Sequence, residues 1–163
     1  MKKNIFIFFL GVAAVIILDQ ITKSAITARF VMHESHPVIN GFFNIVYVMN
    51  PGAAFGFLAG ASATFRYIFF TGITIVALAL ILSYLIKSKP RSLLIVSSLI
   101  LIFAGAAGNL IDRIRFGAVV DFLDIYVGTW HWPAFNVADS AITVGAILMI
   151  WEMFINRKKG NIS

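Results

Sequence analysis

The chain alternates long apolar segments with shorter polar ones. Four segments, at about 4–22, 67–86, 92–111 and 134–155, are almost uninterrupted by charge. A helix of roughly 20 apolar residues crosses the hydrocarbon core of a bilayer. Each segment adjoins charged or turn-forming residues, and the second lies between Arg66 and Lys87. The pattern therefore predicts four transmembrane helices.

Residues 25–66 interrupt this helical pattern. Residues 42–49 are rich in aromatic and β-branched side chains, which is typical of a short strand. The following motif, NPGAAF at 50–55, is typical of a chain reversal. Residues 55–58 are apolar and suit an interfacial piece that dips into the lipid. We expect an all-α membrane protein with a small β element, formed by one domain over residues 1–163.

Composition agrees with a membrane protein. The chain is 60% hydrophobic and 12% charged, and its mean hydropathy is +0.93, whereas about a quarter of residues are charged in soluble domains. The pI near 9.9 is compatible with nucleic-acid binding, but no basic-aromatic pattern supports it. The absence of cysteine excludes disulfides, thiolate nucleophiles and lipid attachment through Cys.

The positive charges predict the orientation. Eight of the 13 Lys and Arg residues lie at the amino terminus, at 87–91 and at the carboxyl terminus. Cytoplasmic loops of membrane proteins carry such an excess. We therefore expect both termini inside a bacterial cytoplasmic membrane, with 25–66 and 112–133 outside. A cleaved signal peptide is the alternative for the first apolar run, but no small-residue cleavage site follows it.

The acidic residues are concentrated in one stretch. Four of the seven acids lie within residues 108–140: Asp112, Asp121, Asp124 and Asp139. An ionised side chain beside an apolar run costs about 2.5–3.5 kcal/mol on insertion scales. Asp121 follows the third predicted span and Asp139 begins the fourth, so we expect both carboxyls at one depth of the membrane.

Such a pair suits general acid and base catalysis. Two neighbouring carboxylates cannot both ionise easily, so one stays protonated and the two can act on a single water. Asn109, Arg113 and Asn136 add hydrogen-bond donors on the same side. This is the chemistry of an aspartyl protease.

Other interpretations of these acids remain open. Asp121 and Asp139 can each cap a helix or pair with Arg113 or Arg115. Intramembrane carboxylates also relay ions in small transporters, although here the acids crowd one end of the spans. A serine hydrolase is disfavoured, because the chain has no GxSxG motif and Ser24 adjoins Lys23 with the wrong spacing.

Two further groups of polar residues have simpler explanations. Asp19 and Lys23 have i,i+4 spacing, which is typical of an ion pair that closes a helix end. His33, Glu34 and His36 lack the helical HExxH frame of a metal site, so we expect a solvated loop and no metal there.

The same residues carry a family resemblance. Five motifs cover nearly the whole chain: Asp19-Gln20-Ile21-Thr22-Lys23, Asn50-Pro51-Gly52-Ala53-Ala54-Phe55, Gly108-Asn109-Leu110-Ile111-Asp112-Arg113, Val119-Val120-Asp121-Phe122 and Phe135-Asn136-Val137-Ala138-Asp139-Ser140. With the five motifs in this order, the chain resembles the signal peptidase II family. Its members are bacterial membrane aspartyl proteases that remove signal peptides from prolipoproteins. The resemblance implies no metal, nucleotide or other cofactor.

The resemblance also implies residue roles. Asp121 and Asp139 match the catalytic pair. The residues that match site-lining or site-supporting positions are Asn50, Asn109, Arg113, Asn136, Asp19, Gln20 and Lys23. The family substrate carries a diacylglyceryl group on the cysteine after the cleaved bond, and a β-cradle with an interfacial helix clasps it. We further expect the protein to contact membrane lipid, to be a monomer and to be inhibited by cyclic peptides of the globomycin type.

The segment 50–65 is also a candidate lid over the two aspartates. Gly52, Gly56 and Gly60 allow hinging, while Phe55, Phe57 and Leu58 can lie against lipid or a bound peptide. A lid that closes would shield the attacking water from solvent. An ordinary interfacial anchor is the alternative.

Overall fold

The computed structural model describes residues 2–52, 58, 60–88, 90 and 92–160. Its elements, in chain order, are α1 (Lys2–Arg29), β1 (Ser35–Ile39), β2 (Phe43–Asn50), α2 (Ala63–Ser88), α3 (Leu93–Phe116), β3 (Val119–Val127), β4 (Trp130–His131) and α4 (Val137–Gly160). Within these residues, four helices are long and apolar enough to cross a membrane. The predicted fold class is confirmed.

The helices extend beyond the predicted apolar segments. α1 continues from residue 22 to Arg29, because nothing there breaks a helix and Ile26 packs against Val120 and Phe122 of β3. α3 continues to Phe116, and Gly117 ends it in the left-handed region with φ of 73°. The Gly117 N–H donates to the Arg113 carbonyl at 2.9 Å, which is a common helix ending.

The strands form one antiparallel sheet in the order β1-β2-β3-β4. The prediction of a strand near 42–49 is confirmed by β2. Of the solvated loop predicted at His33, Glu34 and His36, only the loop conformation of His36 is wrong, because β1 pairs His36 with Ile45. β1 is an edge strand whose side chains are all exposed, so its sequence carries no apolar alternation. The sheet also contains β3, which the sequence analysis did not predict. Its pairing places Asp121 opposite Val48 of β2.

Small residues on α3 allow two neighbouring helices to approach closely. A Cβ on Gly105 would collide with the Ala138 carbonyl oxygen of α4. A Cβ on Gly108 would lie 2.6 Å from Asp19 Oδ2 of α1. This close approach brings α1, α3 and α4 together around the polar residues described below.

Candidate active site

Asp121 and Asp139 come from different elements and share one amide. Asp121 lies on β3 and is 1% exposed, while Asp139 lies in the first turn of α4. The Asn136 side chain joins them. Its Nδ2 donates to Asp121 Oδ1 at 2.7 Å, and its Oδ1 accepts from the Asp139 N–H at 2.9 Å. Asn136 therefore caps α4 and orients β3 at the same time.

Two further asparagines donate to the carboxyls, one to each. Asn50 Nδ2, at the end of β2, donates to Asp121 Oδ2 at 2.8 Å. Asn109 Nδ2, on α3, donates to Asp139 Oδ1 at 2.7 Å. The structure thus gathers all three predicted asparagines around the two predicted aspartates.

Burial changes the acidity of Asp121, which lies outside the spanning helices. Its pKa is raised from 3.8 to about 7, chiefly by burial and then by the negative charge of Asp139. The hydrogen bonds from Asn50 and Asn136 favour the ionised form and oppose part of this rise. At neutral pH the Asp121 carboxyl can therefore hold or release a proton.

Lys23 is the centre of a buried network beside this pair. Its Nζ lies 2.9 Å from Asp19 Oδ2, 2.9 Å from Asp112 Oδ2 and 3.0 Å from Asn109 Oδ1. Gln20 Nε2 joins the two acids, donating to Asp19 at 3.1 Å and to Asp112 at 3.0 Å. Lys23 is 3% exposed, so its charge is compensated inside the protein rather than by solvent.

This network holds the backbone beside each aspartate of the pair. Asp19 Oδ1 accepts from the N–H of Ala138, the residue before Asp139, at 3.0 Å. Asp112 Oδ2 accepts from the N–H of Val120, the residue before Asp121, at 3.1 Å. The interpretation of Asp19 and Lys23 as a pair that only closes a helix end is therefore incomplete. Sequence reasoning assigned no role to Asp112, although its spacing from Asn109 places both on one face of α3.

Arg113 borders a cavity that Asp139 also lines. The cavity has a volume of about 240 Å³ and is lined by Asn50, Gly52, Phe70, Arg113, Trp132, Pro133, Ala134, Phe135 and Asp139. The guanidinium lies over the Phe70 ring, 5.6 Å from its centroid. Its buried Nε has no hydrogen-bond partner among the described residues, while its Nη1 lies 3.5 Å from the Asn109 carbonyl oxygen.

Part of the candidate lid can be located. Gly52 has φ of 99°, and its N–H donates to Asn50 Oδ1 at 2.8 Å. A Cβ at this position would collide with the Phe70 ring, so the turn beside Asp121 requires glycine. Gly60 lies in a turn, and Leu58 has φ of 59°. Phe55, Gly56 and Phe57 lie outside the described residues, as does most of the predicted interfacial piece.

His33, Glu34 and His36 are more than 80 residues away in sequence from Asp121 and Asp139. Glu34 Oε1 is 2.9 Å from His36 Nε2, and Glu34 Oε2 accepts from the Val31 N–H at 2.7 Å. These contacts lower the pKa of Glu34, the backbone hydrogen bond most. Across the described residues, no three His, Cys, Asp or Glu side chains are grouped as metal ligands.

Comparison with known proteins identifies the family. Residues 11–155 match the family model described as signal peptidase (SPase) II. The chain belongs to the signal peptidase II family. It is 54% identical over 159 residues to a lipoprotein signal peptidase of Syntrophus aciditrophicus, and the alignment covers 98% of this chain and 99% of that protein. It is 49% identical over 143 residues to one of Desulforapulum autotrophicum, with 88% of each chain covered.

Solved structures agree with the fold. One is described as a bacterial membrane enzyme studied by the in meso method at 2.3 Å resolution. It superposes with a TM-score of 0.84 and 37% identity, over 95% of this chain and 92% of that one. A second, at 1.9 Å resolution, gives a TM-score of 0.81 and 36% identity, over 91% and 93% of the two chains. The protein is therefore a multi-pass membrane enzyme of the aspartic peptidase class rather than a transporter.

Proposed function

We propose that this peptidase removes the signal peptide from diacylglyceryl-modified prolipoproteins, cleaving before the lipidated cysteine. The proposal rests on the family and on the lipoprotein signal peptidases to which the chain is similar. The single observation that carries the chemistry is the pair of aspartates joined by Asn136, of which Asp121 is buried and Asp139 lines a cavity.

The two aspartates activate one water molecule. The ionised carboxylate takes a proton from the water, whose oxygen attacks the scissile carbonyl carbon. The protonated carboxyl gives its proton to the carbonyl oxygen, and a tetrahedral diol forms. The carbon–nitrogen bond then breaks as the newly protonated carboxyl gives its proton to the leaving nitrogen, and one hydroxyl of the diol returns its proton to the other carboxylate. The products are a new carboxyl terminus and the free amino group of the lipidated cysteine, and the pair again holds one proton. The raised pKa of Asp121 suits it to carry the proton at neutral pH.

The surrounding side chains hold this arrangement. Asn50, Asn109 and Asn136 each occupy one carboxylate oxygen, which leaves the remaining lone pairs directed at the water and the peptide. Arg113 lines the cavity beside Asp139, where its positive charge can stabilise the negative charge that develops on the substrate carbonyl oxygen. Asp19, Gln20 and Lys23 act through the backbone that carries the two aspartates.

The proposal includes a position in the membrane. Cationic clusters at both termini and at 87–91 support a cytoplasmic location for these regions in a bacterial cytoplasmic membrane. The aspartates then lie near the outer face, where a signal helix ends. We also propose a single peptidase domain that acts as a monomer and binds cyclic peptides of the globomycin type at the aspartates.

We propose that residues 50–65 act as a lid over the site. Support comes from the glycine turn at Gly52, packed on Phe70 at the cavity wall. Spin labels at Phe57 and Gly128 should give a broad distance distribution that narrows when a tight-binding peptide inhibitor is added. One narrow distance in both states would indicate a fixed anchor instead.

Cleavage of a purified, lipid-modified precursor tests the function directly. Asp121→Asn and Asp139→Asn should each lower kcat by about 10²–10⁴-fold, because general acid and base catalysis contributes that much. Glu152→Gln is the matched control, since it neutralises the other acid of α4, which is buried. The two-carboxylate mechanism would be wrong if either dyad variant, folded and inserted, kept near-normal turnover. The same peptide without its lipid tests the substrate class and should be cleaved poorly.

A further inference from the structure

A second depression meets the active site at Asp139. This apolar groove has a volume of about 570 Å³ and is lined by Ile125, Trp130, Trp132, Phe135, Asp139, Ser140, Thr143 and Val144. Trp132, Phe135 and Asp139 also line the cavity that contains Arg113. The two depressions are therefore continuous across the carboxyl of Asp139, with the polar one on one side and the apolar groove on the other.

The groove follows α4 into the membrane-spanning part of the chain. Asp139, Thr143 and Val144 have i, i+4 and i+5 spacing, so they follow one side of the helix. Five residues of helix advance by about 7.5 Å, and α4 is a candidate span from Val137 onward. A molecule in the groove thus extends from the reacting carboxyl towards the depth of the lipid chains.

The polar atoms of the helical wall are already occupied. The Ser140 hydroxyl donates to the Asn136 carbonyl at 2.9 Å, and the Thr143 hydroxyl donates to the Asp139 carbonyl at 2.9 Å. Both hydrogens are therefore used within the helix, and the wall offers mainly carbon to a ligand. A hydrocarbon chain makes no demand for hydrogen bonds, whereas a peptide backbone does.

The opposite wall is a braced hairpin. Trp130 and Trp132 contact each other with ring centroids 6.1 Å apart. Next to them His131 stacks on Tyr126 with centroids 4.9 Å apart, and its Nδ1 lies 2.9 Å from Asp124 Oδ1. Asp124 in turn accepts from Asn44 Nδ2 at 2.8 Å. These contacts hold the hairpin that carries both tryptophans, so the backbone of this wall is in place before a ligand binds.

We propose that this groove binds one acyl chain of the lipid on the substrate cysteine. The inference rests on the proposed function and names the part of the substrate that it binds. Its volume lies within the roughly 300–1,000 Å³ usual for ligand clefts. The lipidated side chain starts one residue from the scissile bond, so an acyl chain in the groove places that bond at Asp139, while Arg113 and Asn50 contact the peptide on the other side.

Acyl-chain length provides the test. One precursor peptide is prepared with long, C16, or short, C4, chains on its diacylglyceryl cysteine, and kcat/KM is measured for both. The wild type should prefer the long chains. Val144→Trp and Thr143→Phe fill the groove and should reduce kcat/KM for the long-chain substrate by about tenfold, since a small misplacement of substrate has effects of at least that size. In these variants the ratio of kcat/KM for the long-chain substrate to kcat/KM for the short-chain substrate should approach one.

Ile17→Trp is the matched control. Ile17 is 57% exposed on α1, two residues before Asp19, so it places an equal bulk near the same depth on another helix. Its chain-length preference should equal that of the wild type. Equal preferences in the groove variants and the wild type would overturn the acyl-chain assignment while leaving the proposed function intact. Failure of the wild type to cleave either lipidated peptide would instead contradict the proposed function.

A crosslinking measurement covers the case in which the groove variants do not fold. The Asp121→Asn protein retains an intact groove and leaves the substrate uncut. A photoreactive diazirine in one acyl chain should label residues 130–135 or 139–144. Labelling confined to α1 or α2 would contradict the proposal, as would a result in which an apolar signal-peptide side chain, rather than the acyl chain, crosslinks to the groove.

Discussion

The bundle has two different interiors, one at each end of the same helices. The apolar layer consists of Phe8, Val12, Leu85, Leu99 and Ala104. The polar layer consists of Asp19, Lys23, Asn109, Asp112 and Asn136, all of them buried. α1 contributes to both layers, because Val12 and Asp19 are only seven residues, or about 10 Å, apart along its axis.

The two layers are held by different forces. Lipid chains are as apolar as leucine, so the apolar layer gains from close packing more than from exclusion of water. Its contacts have little directional preference. The polar layer is held by hydrogen bonds and ion pairs, which have strict geometry and act in a low dielectric. The comparison indicates that the apolar layer sets stability, whereas the polar layer fixes the positions of the two aspartates.

Removal of the buried cation should have the largest effect. Lys23→Met leaves Asp19 and Asp112 without their shared counter-charge, and breaking such a buried pair costs about 3–5 kcal/mol. The free energy of unfolding in detergent should fall by that amount, and turnover should be lost. Lys87→Met, at an exposed lysine of α2, should change neither. A Lys23→Met protein as stable and active as the wild type would show that the polar layer is dispensable.

The next largest effect concerns the contact between α3 and α1. Gly108→Ala would place a methyl group 2.6 Å from Asp19 Oδ2, so α1 must shift and the Ala138 N–H would lose its acceptor. Such overpacking costs about 1–3 kcal/mol. We expect reduced stability and reduced kcat together. The matched control is Gly72→Ala on α2, where a Cβ meets no atom within 4 Å, and it should retain both quantities.

The sequence was sufficient to predict the elements whose signal is local. Each span is a run of apolar side chains, and length alone identifies it. Asp121 and Asp139 stand out because an acid beside an apolar run needs a reason. The three asparagines were then found through the motifs in which they occur, and the structure places all three against the aspartates.

Other features depend on partners that are distant along the chain. β3 consists mostly of apolar residues that follow a helix directly, and its strand conformation comes from pairing with β2, whose residues precede it by about 70 positions. Asp112 continues a helical face, and only its contact with the Val120 N–H shows its role. The sequence around Asp19 indicates only a local ion pair, because its hydrogen bond from the Ala138 N–H joins residues 119 positions apart.

A change in the apolar layer should affect stability without affecting chemistry. Leu99 is 3% exposed, and Leu99→Ala leaves a cavity that costs about 2 kcal/mol or more. The free energy of unfolding should fall accordingly, while kcat/KM stays within about twofold because no hydrogen bond of the polar layer is touched. Leu93→Ala, at a 73% exposed position, is the control. A large loss of kcat in the folded Leu99 variant would remove the distinction between the layers.

The smallest effect, a shift along the pH axis, tests the surroundings of Asp121 most sharply. The pKa of Asp121 is raised to about 7, so the pair loses its single proton as the pH rises through about 7, and kcat/KM should then fall by up to about tenfold per pH unit. The contribution of Asp121 to the free energy of unfolding changes with pH in the same direction. Because its pKa is higher in the folded protein, this contribution is complete below the unfolded pKa near 4 and is lost as the pH rises through about 7.

Asn50 determines where on the pH axis that fall occurs. Its Nδ2 donates to Asp121 Oδ2 at 2.8 Å, which stabilises the ionised carboxyl and lowers its pKa. Asn50→Ala removes this donor, so the descending limb of the pH profile should move to higher pH even as the maximal rate drops. A purely structural role would lower the rate at every pH equally. Measurement of kcat/KM from pH 5 to 9 in both proteins, with folding monitored at each pH, separates the two roles, and a limb that stayed fixed or moved to lower pH would show that the amide does not control the proton of Asp121.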